Sequence, residues 1–86
     1  MRIHVVGEYF TVPLEVAPNA TLRALRRMFL ESPEVYRNLV EPEGLEETLE
    51  ATVCSRGCRH LADSATLLTA GIEAGDTVDV HGKDDE

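Results

Sequence analysis

Two short alternating runs lead directly into a run with helical spacing, and this succession restricts the fold more than any other feature of the chain. In MRIHVV, Arg2 and His4 alternate with Ile3 and Val5, the period of a strand with one buried face. Gly7-Glu8 reads as a turn. In YFTVPLEV, Phe10, Val12, Leu14 and Val16 fall on one side, so the two runs make a β-hairpin. Pro13 has no N–H and belongs at an edge or at a non-bonded position. In APNATLRALRRMFLES, Asn19 or Thr21 can cap a helix, and Leu22, Leu25 and Phe29 share a face flanked by Met28. Arg23, Arg26 and Arg27 are expected on the outer face. Ser32-Pro33 ends the helix, because proline disfavours α geometry in the residue before it.

The second half is less regular. Pro33 can open a second short helix with Val35, Tyr36, Leu39 and Val40 inward, which Pro42 and Gly44 then break. Residues 45–53 read as a strand, with Leu49, Ala51 and Val53 on one face. Ser55-Arg56-Gly57 is a turn, His60-Leu61 a short strand and 62–71 a loop. Residues 77–80 form the last strand, with Val78 and Val80 inward and Asp79 and His81 outward. The order is β-β-α-insert-β-β-β. That is an α+β pattern in which one long helix packs across a mixed sheet, with an insert before the third strand: a β-grasp. Eighty-six residues suffice for one domain, expected over 1–82, followed by an acidic tail at 83–86.

The net charge is −8, from 16 acids against 8 Lys and Arg. Nucleic acid needs a cationic face and is not expected as a partner. A basic protein surface is. The charge is uneven: Glu31, Glu34, Glu41, Glu43, Glu46, Glu47 and Glu50 face a single Arg37 between residues 31 and 50. Apolar content of 43% is too high for a disordered chain. No apolar run reaches membrane length, and no leucine-rich leader follows Arg2. A soluble monomer, cytoplasmic or nuclear, is the expectation.

Three stretches carry a family resemblance. LEVAPNATLRAL resembles the second strand and helix start of ubiquitin-like proteins, and IHVVGE resembles the opening strand of SUMO. LADSATLLTAGIEAGDTVDV is similar to the SUMO pattern of Ala-Asp, a Thr three positions on, and a Gly-Ile-Glu turn before the final strand. The matching residues are Ala62-Asp63, Thr66, Gly71-Ile72-Glu73, Asp76, Val78, Asp79 and Val80. The ending looks still closer to SUMO-like domains of DNA-repair and SUMO-pathway cofactor proteins, which lack the terminal glycine pair. The resemblance spans 1–31 and 54–82 and leaves 32–53 uncovered, where this chain is longer.

The resemblance implies non-covalent docking of an acidic turn on the basic N-terminal helix of a SUMO-conjugating E2. The turn residues are Gly71, Glu73 and Asp76, with Asp79 beside them. Carboxylates suit such contacts because they accept charge-assisted hydrogen bonds and steer encounter. It also implies an added peptide strand beside the second strand, over Val12 and Leu14, with Arg26 or Arg27 supplying positive charge. Pro13 removes an edge donor there, and Glu15 and Ala17 stand where SUMO carries lysines. A ubiquitin-type apolar patch is not expected from Gly7, Glu8, Cys54, Ser55 and His81.

The alternative is a covalent modifier trimmed at Gly82. A modifier needs a flexible arm and terminal glycines to enter its activating enzyme. Only His81 and Gly82 stand between Val80 and Lys83-Asp84-Asp85-Glu86, which is too short a reach. A further alternative is an adaptor whose contact is the acidic insert. Catalysis is not expected. Cys54, Cys58 and His60 form a loose C-x3-C-x-H, to which His81 or His4 could add; free thiols at a hairpin are favoured over zinc, a disulfide or a nucleophile. The adjacent pairs Glu46-Glu47 and Asp84-Asp85 form no acid–base pair, and no glycine-rich phosphate loop is present. No metal or cofactor is expected.

Overall fold

The structure, a computed structural model, describes residues 1–7, 10–39, 42–57 and 59–82. Strands β1 (Arg2–Val6) and β2 (Thr11–Glu15) are followed by helix α1 (Leu22–Glu31) and helix α2 (Pro33–Leu39). A 3₁₀ turn (Pro42–Gly44), helix α3 (Leu45–Glu50) and strands β3 (Thr52–Arg56), β4 (Arg59–Leu61) and β5 (Thr77–Gly82) complete the described elements. The sheet order is β2-β1-β5-β3-β4. Among the described residues only the β1–β5 pair is parallel. The expected α+β architecture is therefore found, with α1 packed across one face.

The hairpin forms as the alternation requires. Ile3 and Val5 are fully buried, and Val12 and Val16 join them, while Leu14 and Phe10 are half-buried. Met1 and Val16 exchange both backbone hydrogen bonds, at 2.7 and 2.9 Å. Bonded and non-bonded pairs alternate along an antiparallel ladder. The bonded pairs are therefore Ile3–Leu14 and Val5–Val12, and His4–Pro13 is non-bonded. The N–H that proline lacks falls on the open edge of β2, so the ladder loses nothing and the edge loses a donor.

Thr21 caps α1, its hydroxyl accepting from Ala24 N–H at 3.2 Å. Leu22, Leu25, Phe29 and Leu30 are buried beneath the helix. Arg26 is buried with them, only 1% exposed, and not on the outer face. Position 26 belongs geometrically to the stripe at 22, 25, 29 and 30. Its charge favours the outer face, its spacing the inner one. Its guanidinium donates to Thr52 O and, at 2.7 Å, to Asp63 Oδ2, which makes burial tolerable.

The insert differs from expectation. Residues 45–50 form α3 and not the start of a strand; β3 begins at Thr52. Leu45 and Leu49 are four apart and face the core, Leu49 fully buried, whereas Ala51 is exposed. The helix-forming residues of LEETLE and two acids in the first turn favour α geometry over a strand. Helix α2 exists as proposed from Pro33, with Val35 buried and Tyr36 half-buried. The inward side chains expected of Leu39 and Val40 lie outside the described residues. Arg23 and Arg27 on α1 reach Glu46 on α3 at 3.2 and 2.5 Å, tying the insert to the helix.

At the hairpin, Gly7 N–H donates to Phe10 O at 2.7 Å. A Cβ on Gly7 would stand 2.6 Å from Cζ of the buried Phe29 ring. Gly7→Ala is expected to lower stability by about 1–3 kcal/mol through overpacking, read as a reduced urea midpoint. An unchanged midpoint would mean that the turn does not rest on Phe29.

Candidate functional site

The turn before β5 is built by backbone geometry and by two arginines from the β3–β4 hairpin. Gly71 and Gly75 have φ of 80° and 88°, a region that side chains rarely occupy. Gly75 N–H donates to Arg2 O at 2.7 Å, and His4 N–H to Asp76 O at 2.9 Å, which fastens the turn to β1. Asp76 Oδ2 accepts from Glu73 N–H at 2.7 Å and pairs with Arg56 Nη2 at 3.1 Å. The other terminal nitrogen of Arg56 donates to Gly71 O, and Arg59 Nη2 donates to Ala70 O at 2.8 Å. The result is a closed loop of hydrogen bonds from which the exposed Glu73 side chain projects.

The four residues expected to dock a partner are thus divided among different tasks. Gly71 gives the turn its backbone shape. Asp76 spends its carboxylate on the turn's own bonds. Glu73 is exposed. Asp79 lies on the outer face of the sheet, level with Ser55 on β3 and Val6 on β1. A recess of about 360 Å³ opens there, lined by Val6, Gly7, Ser55, Asp79, Val80, His81 and Gly82.

The residues expected to line a peptide groove do not share one. Val12 is in the core, Leu14 is half-buried and Arg26 is committed to Thr52 and Asp63. Arg27 is exposed but holds Glu31 at 3.1 Å and Glu46 at 2.5 Å, contacts that raise its pKa, Glu46 foremost. No motif in the sequence marks Arg56 or Arg59. Nothing in local spacing links Arg56 to Asp76, 20 positions away; their meeting is a product of β3 and β5 being sheet neighbours.

Cys54 is a free, buried thiol on the core side of β3. Cys58 lies outside the described residues. His60 and His81 stand on the outer face with ring centroids 5.4 Å apart, away from the Cys54 side. Among the described residues no group of three His, Cys, Asp or Glu side chains is placed to hold a metal, and no helix is long and apolar enough to cross a membrane.

Neither a protein-family model nor a curated protein matches the chain. Solved structures do. The ubiquitin of Caldiarchaeum subterraneum superposes with a TM-score of 0.71 at 27% identity, over 96% of this chain and 92% of that one. The chain therefore has a ubiquitin-like β-grasp fold. The similarity supports the ubiquitin-like resemblance without singling out the SUMO branch.

Burial pushes the Cys54 thiol up to about 12 from its ordinary 9.0, with the Asp63 charge adding to the rise and Arg26 opposing it. A thiol raised on folding stabilises the fold below its ordinary value, and that contribution fades as pH climbs from 9.0 towards 12. Cys54 should stay inert to a disulfide reagent at pH 8 until the protein is unfolded in urea, monitored by mass spectrometry of the 54-containing peptide. Fast modification of the folded chain would contradict its placement.

Proposed function

We propose that this chain is a non-enzymatic ubiquitin-like recognition domain that docks on a basic protein surface through the turn at 71–76. The observation that carries this reading is the position of Glu73. Its carboxylate is exposed on a turn already closed by Arg56, Asp76 and two positive-φ glycines. A loop ordered before encounter spends little binding energy on ordering itself. The acidic chain steers a basic partner towards it. A SUMO-conjugating E2, with its basic helix, is the partner class that the resemblance at residues 62–80 favours.

The covalent alternative is disfavoured by the setting of Gly82. That residue is the last of β5, in register with Thr52, and half-buried. A carboxylate made there would remain on the sheet. A conjugate linked through Gly82, found by mass spectrometry, would replace the docking reading.

The test is an ¹⁵N NMR titration with a SUMO-conjugating E2 and, in parallel, a ubiquitin-conjugating E2. Shifts should cluster at residues 71–76 with the SUMO-type enzyme alone and vanish in Glu73→Arg. Arg56→Ala keeps Glu73 but loosens its support, and should weaken binding by roughly tenfold. Absence of shifts with both enzymes would end the E2 assignment.

A further inference from the structure

The outer sheet face offers a second contact, distinct from the turn. Asp79 is half-buried in the recess beside His81, with Ser55 across from it on β3. Ser55 is itself buried, so it forms part of the floor. Among the described residues no hydrogen bond or ion pair engages the Asp79 carboxylate. The contrast with the arginines whose side chains are described is informative. Arg2 holds Glu15, Arg23 and Arg27 hold Glu46, Arg26 holds Asp63, and Arg56 holds Asp76. Arg59 is engaged by Ala70 O. These six guanidinium groups are already placed elsewhere.

A partly desolvated carboxylate in a recess is a strong acceptor for a charge brought from outside. The geometry points to an arginine side chain of a partner protein as the occupant of this recess. A planar guanidinium can give two parallel hydrogen bonds to Asp79 and lie against the His81 imidazole, while its methylenes cover Val6. A lysine ammonium can supply the charge but neither the paired donors nor the flat face. The inference rests on the reading of the chain as a recognition domain and adds the side chain that the sheet face selects. The partner then presents basic groups to two places at once, Glu73 on the turn and Asp79 on the sheet.

The test uses the full chain and blocked Gly-Arg-Gly, Gly-Lys-Gly and Gly-citrulline-Gly peptides at millimolar concentration, followed by NMR. Saturable shifts at Val6, Gly7, Ser55, Asp79 and His81 with the arginine peptide are expected. Citrulline keeps the shape without the charge and should bind about tenfold or more weakly; lysine should fall between. Asp79→Asn, nearly isosteric, should abolish the shifts while leaving the rest of the spectrum folded. Glu47→Gln removes the same charge from the exposed face of α3 and should leave them. Equal binding of arginine and citrulline, equal loss in both variants, or no shifts in the recess would each overturn the inference. Since the E2 titration reads residues 71–76, a failure at the recess leaves the docking turn standing, and the two failures are separable.

Discussion

Arg26 carries a positive charge into an apolar core and makes three distant parts of the chain meet there. Its guanidinium joins α1 to the first residue of β3 through Thr52 O and to the segment after β4 through Asp63. The side chain is 1% exposed, while Asp63 is 48% exposed and keeps contact with water. Hydrogen bonding offsets part of the desolvation cost, although the buried Nε lacks a partner. Removing Asp63 or Thr52 from reach would strand the charge. The contact therefore selects one seating of α1 on the sheet, something that Leu22, Leu25 and Phe29 do not do alone, because apolar contacts tolerate repacking. Cys54 lies in the same neighbourhood, with its Sγ 4.0 Å from Leu22 O.

The insert extends this logic on the helix's other flank. Val35 and Leu49 bury completely, so α2 and α3 contribute to the core. Glu46 then binds both Arg23 and Arg27. These are exposed pairs, worth little singly; the one carboxylate shared by two arginines links α3 to α1 at two points. The acidic stretch at 31–50 is thus partly structural. Some of its charge is consumed by the helix it rests on, and the acids free for a partner are fewer than the sequence suggests.

Where burial and periodicity agreed, the sequence was sufficient. The hairpin, α1 and the final strand follow from alternating and helical spacing that a one-sided core demands, and the order of elements implies the β-grasp. Residues 45–53 and Arg26 depart from expectation for different reasons. Residues 45–53 contain both a period-2 and a period-4 apolar set, Leu49-Ala51-Val53 and Leu45-Leu49, and only tertiary burial of Leu45 and Leu49 decides between them. A charge is usually solvated, which points Arg26 outward; its helical position points inward and is the better guide. The acidic turn was legible as a motif, but not its internal economy. That Asp76 supports while Glu73 is presented depends on Arg56, which reaches it only once β3 and β5 are side by side.

The docking turn is closed before any partner arrives. In the folded chain Glu73 N–H donates to Asp76 Oδ2 at 2.7 Å, Asp76 N–H to Glu73 O at 3.0 Å and Gly75 N–H to Arg2 O at 2.7 Å. Amide hydrogen exchange of the free protein reads those bonds directly. Protection of Glu73, Gly75 and Asp76, lost at Glu73 in Asp76→Ala, is expected of such a turn. Exchange of all three at the rate of an unstructured peptide would contradict it, for the turn would then have no shape of its own to offer.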